Sequence, residues 1–567
     1  MRVLGINAAF HDQAAALVVD GEIVAAAEEE RFSRRKHGKA AVPFSAWEQP
    51  DQAARWCLQH AGIEPAELDA VAYSYDPALA QPPGPDITAG DWEGLRTLYA
   101  RRAPLFLRTA LPGLDPSVVR FVPHHVAHAA SAYAASPYDE CSVLVLDGRG
   151  EAASHLAGRV SGGGLRVLAT QQLPHSLGLL YEALTEYVGF ARGSDEYKVM
   201  ALASYGEPRW LPELRERVWA HQDGGFRVDD VDFAAFDGDR ADLACSVQRR
   251  LEEVLLDLAG WLHEQTGDAA LTLAGGVALN CVANSRIWEE GPFEHVWVQP
   301  AAGDAGTALG AALYLAAEDG DRVVPMSTAA LGRGFEDADL ERTLRTAGVP
   351  YGRPKDLAGT VADTLAAGGI VAWFQGRSEF GPRALGHRSL LADPRDRAQL
   401  ERLNDVKGRE QFRPVAPMVL VERAAELFEG GPLPSPYMLF VHRVRSGWAE
   451  RMPAVVHVDG TARIQTVDRS DEPLMAAVLD AFCARTGVPV VVNTSLNTAG
   501  RPMVDSPRDA LELFGSAPVD LLVLGPFTVA RGAAAQRGAQ PALESWTTPA
   551  PPIPASLDGE RAARGRA

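Results

Sequence analysis

Two widely separated stretches of this chain carry the same β-strand grammar, and that repeat narrows the fold more than any other feature. Arg2–Asn7 is a short apolar run, Ala14–Val19 a second, Asp20-Gly21 a hairpin signal and Glu22–Ala27 a third run. Ser142–Asp147, Glu151–Arg159, the turn Ser161–Gly164 and Leu165–Gln171 repeat the order strand, turn, strand, turn, strand. Two such copies predict an internal duplication.

That layout is the one found in the actin-like ATPase fold, where two similar lobes face a ligand and the first hairpin of each supplies a phosphate loop. The second copy opens with Asp147-Gly148-Arg149-Gly150-Glu151, a tight turn whose N–H groups suit phosphate. The first copy has no glycine in its opening turn and is the weaker phosphate loop. Just ahead of the second copy stand His124, His125 and His128. If this segment is helical, His124 and His128 lie one turn apart on one face. Two imidazoles so placed can hold a divalent metal, with Asp147 at a strand end as third ligand. Histidines at that spacing also cover helices without binding anything. Further on, Leu271–Asn280 reads as a buried strand, a Gly275-Gly276 turn and a helix start, a place where a base or ribose can approach backbone. Val296–Gly310 repeats strand, loop and Gly-rich helix, with Asp304 at the helix N-terminus as ligand or ordinary cap.

Composition bounds the function. The 567 residues suffice for two or three domains, and 47% hydrophobic with 23% charged residues is ordinary for a globular protein. A net charge of −20 argues against nucleic acid and against an anionic membrane, while permitting a cationic substrate without demanding one. The five cysteines, Cys57, Cys141, Cys245, Cys281 and Cys483, are scattered and odd in number, fitting neither a zinc ribbon nor a disulfide framework. The N-terminus reads directly as a strand, with no signal peptide, and no apolar run approaches the ~18 residues of a membrane span. A cytoplasmic protein is expected.

A polar, proline-containing boundary falls at Glu318–Thr328. Beyond it, Leu340–Ala347 and Ala358–Ala367 read as helices and Gly369–Phe374 as a strand. The loop that follows holds Arg377, Arg383 and Arg388 among glycines and proline, which reads as a rigid anion cradle because guanidinium binds phosphate as a fork. The alternative is a set of salt bridges tying loops to the first domain. Lys407, Arg409 and Arg413 form a second basic cluster, and a strand at Val490–Val492 runs into Asn493-Thr494-Ser495. Residues 532–567, rich in Ala, Pro, Arg and Gly, are expected to be disordered.

The ordered motifs His124–Tyr133, Asp147–Glu151, Tyr197–Ala201, Gly275–Asn280, Phe380–Arg388 and Asn493–Asn497 resemble the O-carbamoyltransferase family, the nodulation-factor and antibiotic-biosynthesis enzymes. The resemblance spans nearly all of residues 1–530. It implies an α/β protein: an actin-like domain over 1–325, similar to the tRNA threonylcarbamoyl transferase, a YrdC-like α/β domain over 326–531, and the tail. It implies ATP and carbamoyl phosphate as substrates, made into carbamoyl-adenylate in the second domain. There Arg383, Arg413, Arg463, Asn493 and Ser495 would be the ligands of both. It implies transfer to a hydroxyl in the first domain, with His124, His128, Asp147 and Asp304 holding a divalent metal (Fe²⁺ foremost, Mg²⁺ or Mn²⁺ also allowed). His11 would be the general base, Lys36 a phosphate contact, and Gly148, Gly150, Gly275, Gly276 and Asn280 the contacts of the nucleotide or carbamoyl-adenylate.

The acceptor is expected to be a small secondary metabolite of antibiotic type. Uncharged Ala8 and Ala9 before His11 weigh against a cationic sugar and leave polyketide, nucleoside and glycoside hydroxyls. A tRNA-modifying enzyme and an actin-like small-molecule kinase are the competing readings. The first is opposed by the net charge, the second by the unexplained histidine pair and arginine loop. Carbamoyl supply for hydrogenase maturation would need Cys-rich zinc modules, and an ATP-binding regulator leaves the His–Asp cluster without a role. A homodimer is compatible with the sequence.

Overall fold

A computed structural model describes residues 1–39, 47–80 and 92–531, so the tail expected to be disordered, 532–567, lies outside the described residues. The first meander is β1 (Arg2–Asn7), β2 (Ala14–Val19) and β3 (Glu22–Glu28), followed by β4 (Ala70–Tyr73) and β5 (Val119–Phe121). The second is β6 (Cys141–Leu146), β7 (Ala153–Ser161) and β8 (Gly164–Gln172). After a small hairpin of β9 (Val218–Ala220) and β10 (Phe226–Val228) come β11 (Ala270–Ala274) and β12 (His295–Val298). The two five-stranded sheets have orders β3-β2-β1-β4-β5 and β8-β7-β6-β11-β12. In each the first three strands are antiparallel and the last two join parallel beside the first. Equal order and equal polarity establish the duplicated actin-like architecture read from the meanders.

Small residues explain how the lobes meet. The helix Ala305–Glu318 is buried over nearly its whole length, as expected of a helix with no polar face. It packs on β1 and crosses the helix His124–Tyr133. A β-carbon on Gly5 would lie 1.8 Å from the Ala308 carbonyl oxygen, and one on Gly310 would lie 1.8 Å from that of Ala127. Only glycine permits both approaches. That crossing sets how far Asp304, at the start of one helix, stands from His124 and His128 on the other.

Past an irregular connection the chain forms a seven-stranded mixed sheet. Its strands are β13 (Val371–Phe374), β14 (Arg388–Ala392), β15 (Ala416–Leu420), β19 (Gln465–Val467), β20 (Val490–Ser495), β21 (Leu521–Leu524) and β22 (Phe527–Ala530), in the order β19-β15-β20-β14-β13-β21-β22. A three-stranded sheet of β16 (Phe428–Glu429), β17 (His442–Val444) and β18 (Thr461–Ala462) flanks it. The expected helices begin and end within three residues of their predicted bounds, at Asp337–Thr346 and Leu357–Ala366. The two halves are stitched by buried polar contacts: Arg31 donates to the Gly381 carbonyl at 2.9 Å, and the Gly381 N–H donates to Glu28 at 2.7 Å. None of the five cysteines is in a disulfide, and among the described residues no helix is long and apolar enough to cross a membrane.

Candidate active site

His124 opens its helix and His128 follows one turn later, both fully buried. Asp147 stands just past β6, and Asp304 precedes Ala305–Glu318 without its side chain capping that helix. The four converge. His124 Nε2 lies 3.6 Å from Asp147 Oδ2 and 3.6 Å from Asp304 Oδ1; His128 Nε2 lies 3.8 Å and 3.6 Å from the same atoms. These spacings exceed a hydrogen bond, so the ligand atoms, all within 4.8 Å of one another, surround a point rather than pair. The Nε2 atoms of both histidines and Asp304 Oδ2 are buried with no hydrogen-bond partner among the described residues. Leaving such atoms unmet costs about 1–3 kcal/mol each, and a cation at their centre removes that cost. Two imidazoles and two carboxylates suit a divalent first-row ion.

The surroundings aim the ligands. His124 Nδ1 lies 3.1 Å from the Ser74 carbonyl, which places a proton there and turns Nε2 inward. The carboxylate of Glu151 accepts the N–H of His124 at 2.8 Å and of Asp76 at 2.7 Å, tying the helix start to the Gly-Arg-Gly turn of the second lobe. Asp147 Oδ1 accepts the Gly276 N–H at 2.9 Å. Burial would push the His124 pKa down, but Asp147 and Asp304 outweigh it and hold the ring well above its ordinary range. Burial would raise Asp304, yet His11 and the two facing histidines hold it well below the usual carboxylate range.

His11, in the loop between β1 and β2, borders this cluster. Its Nε2 is 4.0 Å from Asp304 Oδ2, its Nδ1 is 2.9 Å from Asp12 Oδ2, and 41% of its side chain is exposed. The Asn7 side-chain amide donates to the carbonyls of His11 and Asp12, both at 2.9 Å, and so holds the loop. Asp12, Glu30 and His37 form a second carboxylate–imidazole group of a different kind. Asp12 and His37 are at 2.7 Å and Glu30 is paired with Lys36 at 3.1 Å, so these groups satisfy one another.

Lys36 is 44% exposed and faces Glu30 rather than the cluster. Lys39, three residues on, is buried, with its Nζ on the Ala8 carbonyl. Burial, then the Arg96 guanidinium, push its pKa down to about 7 against the pull of Asp304 and Glu48. Gly148 and Gly150 line the turn beside Asp147. Gly275 begins the turn that ends at Asn280, whose side chain caps the helix Cys281–Glu290 and bonds Gln248 at 2.8 Å.

The second gathering is cationic. Burial, then the neighbouring Arg463, push Arg383 down to about 9; burial, then Arg413 and Arg463, push Arg409 down to about 9. Nε of Arg383, Nε of Arg463 and Oδ1 of Asn493 are buried without a partner among the described residues. Arg413 lies 4.6 Å over the Tyr197 ring and 3.5 Å from Glu410. Lys407 donates to Ser495 Oγ at 3.0 Å and Asn497 Oδ1 at 2.6 Å. Like charges packed with spare donors suit an anion.

Two arginines of the expected cradle belong elsewhere. Arg388 is fully buried, donates to the carbonyls of Gln375, Arg333 and Gly376, and stacks 3.6 Å over Phe374. Arg377 donates to the carbonyls of Gly332, Leu331 and Val24. Backbone oxygens take most of their donors, so both hold loops, and Arg383 alone of the three joins the cluster. The two gatherings meet at one turn. Gly276 bonds Asp147, and three residues later the Leu279 carbonyl lies 3.5 Å from Arg383.

Models of the carbamoyltransferase N-terminus match residues 2–80, 108–234 and 226–313, and that of the carbamoyltransferase C-terminus matches 362–531. The chain belongs to the carbamoyltransferase family. Nodulation protein NolNO of Sinorhizobium fredii is 38% identical over 97% of this chain and 82% of its own length. A Synechocystis protein without a functional name is 39% identical over 94% of this chain and 97% of its own. Among solved structures, HypF of T. kodakarensis is similar at a TM-score of 0.36 and 14% identity, over 57% of this chain and 48% of that one. The family match covers both gatherings. Sequence reading missed His37 and Lys39 because nothing in the run Arg34–Lys39 marks which side chain turns inward, and missed Asp12 because its partner His37 lies far along the chain.

Proposed function

We propose that this carbamoyltransferase is ATP- and carbamoyl phosphate-dependent and acts on a hydroxyl of a small metabolite. The observation that carries the reading is the abutment, across the turn Gly276–Leu279, of a buried arginine cluster with unpartnered donors and a buried His–Asp cluster whose two facing imidazole Nε2 atoms have no hydrogen-bond partner among the described residues. We assign adenylate formation to a YrdC-like unit over 326–531 and transfer to the unit over 1–325.

In the arginine cluster Arg383, Arg409, Arg413 and Arg463 hold the phosphates, with Asn493 and Ser495 at the rim. Water releases carbamate and phosphate from carbamoyl phosphate. A carbamate oxygen attacks the α-phosphorus of ATP, pyrophosphate leaves, and carbamoyl-adenylate forms. Converging guanidinium groups offset the charge that builds on the departing pyrophosphate. The acceptor oxygen then attacks the carbamoyl carbon, the bond to AMP breaks, and the hydroxyl proton passes to His11 Nε2. Asp12 is an acceptor-only carboxylate at His11 Nδ1, so neutral His11 carries its proton there and keeps Nε2 as the base. His124, His128, Asp147 and Asp304 would hold a divalent ion, which when bound supplies Lewis-acid polarisation of the carbonyl.

The test separates the halves. In Arg383→Ala, pyrophosphate release from ATP and carbamoyl phosphate is expected to fall by on the order of 10²–10³. In His128→Ala, pyrophosphate release is expected to continue while carbamate ester, read by mass spectrometry, disappears. Loss of both reactions in both variants would contradict two separate sites.

A further inference from the structure

Asp12 and His37 both adopt left-handed backbone, with φ of +51° and +63°. Non-glycine residues pay for that conformation, and it concentrates where surrounding structure fixes it for use. Here the two strained residues are bonded to each other. His37 Nδ1 meets Asp12 Oδ1 at 2.7 Å, His11 Nδ1 meets Asp12 Oδ2 at 2.9 Å, and His37 Nε2 meets Ser194 Oγ at 2.9 Å.

Hydrogen-bond logic fixes the directions. Ionised Asp12 only accepts, so both imidazoles carry a proton on Nδ1. With its proton on Nδ1, the His37 imidazole offers Nε2 to the Ser194 hydroxyl. His11, Asp12 and His37 come from the first lobe. Ser194 comes from the second, in the loop before the helix Glu196–Ala203. The line therefore joins the two lobes. The helix it reaches also carries Lys198, which is ion-paired with Glu410 of the arginine-bearing segment at 2.9 Å.

We infer that Asp12, His37 and Ser194 are positioning residues that lock His11 in its Nδ1–H tautomer, so that the base faces the His–Asp cluster only while the two lobes are in contact. This rests on the reading of His11 as base. During transfer the proton stays on His11 as an imidazolium, which Asp12 stabilises, and none moves along the line.

The test is long-range ¹H–¹⁵N spectroscopy of the full chain, labelled at histidine and loaded with zinc, with the His11 ring identified by the signal lost in His11→Asn. The parent is expected to show His11 as the Nδ1–H tautomer. Asp12→Asn offers one acceptor where two ring N–H groups need two, and its Asn tolerates the left-handed backbone. It is expected to give a mixture with the Nε2–H form and to slow carbamoyl transfer to methanol, used in excess as acceptor, by on the order of 10²-fold or more. His37→Leu is expected to move the same signal, and His37→Gln, whose amide can still donate to Asp12, to restore it. A parent His11 protonated on Nε2 would overturn the inference. So would His37→Leu and Asp12→Asn variants with the parent pattern and the parent transfer rate. If His11→Asn transfers to methanol at the parent rate, the base reading fails instead, whatever the tautomer.

Discussion

Replacing Gly310 by alanine should empty the His–Asp cluster without touching a ligand. A β-carbon there would lie 1.8 Å from the Ala127 carbonyl oxygen and 2.6 Å from the Ser131 amide nitrogen, both backbone atoms that cannot swing aside. Reaching ordinary contact requires the helices Ala305–Glu318 and His124–Tyr133 to part by roughly 1.5 Å at the crossing. Asp304 rides on one helix and both histidines on the other, now 3.6 Å apart. A change of that size far exceeds the ~0.2 Å tolerance of metal–ligand distances. Overpacking of this kind costs about 1–3 kcal/mol, or a Tm lower by roughly 1–4 °C, since an unfolding entropy of ~2.1 cal/mol/K per residue over a unit of about 325 residues gives about 1.5 °C per kcal/mol. The assay is divalent metal per chain by elemental analysis after dialysis, beside a thermal melt. Gly515→Ala is the control, since a β-carbon there meets nothing within 4 Å. Full metal content with an unchanged Tm in Gly310→Ala would refute the claim that this crossing sets the cluster.

Glu151→Ala should cost about 1–3 kcal/mol, because the N–H groups of His124 and Asp76 lose their shared acceptor, while Glu151→Gln keeps an oxygen there and should cost less; melts of the two variants check the order. His387 is pushed down by burial but raised more by Glu472, at 3.1 Å, and by Glu379. A raised histidine stabilises fully below its unfolded pKa near 6.5, and the contribution fades as pH rises through the higher folded value. His387→Gln should therefore lie furthest below the parent in Tm under pH 6.5 and approach it in alkali; a pH-independent gap would contradict the pairing. Arg388→Lys should destabilise the protein, since one ammonium cannot serve the carbonyls of Gln375, Arg333 and Gly376 and also stack on Phe374; denaturant midpoints test this.

Much of the architecture could be read from local pattern. Alternating turns and short apolar runs marked both meanders because hairpin chemistry is local, and two copies of a meander implied two lobes. The pairing of β4 with β1 and of β11 with β6 is parallel, carried by long crossovers, and leaves no local trace. At the site, helical spacing put His124 and His128 on one face and a strand end offered Asp147. Asp304 stood equally well as a helix cap, and only its tertiary neighbours distinguish the two roles. Arginine was the least legible residue. Arg377, Arg383 and Arg388 share one loop and one composition, yet backbone carbonyls hold two of them in place while the third joins the arginine cluster with its Nε unpartnered among the described residues. Lys36 and Lys39 differ the same way: one meets Glu30 at the surface, the other turns under the loop that bears His11.

The most direct measurement is ³¹P NMR of the phosphorus-containing products when the parent chain is given ATP, a divalent ion, carbamoyl phosphate and methanol. The account predicts AMP, pyrophosphate and phosphate in equal amounts, each requiring carbamoyl phosphate. ADP as the nucleotide product, or pyrophosphate released at the same rate without carbamoyl phosphate, would contradict it.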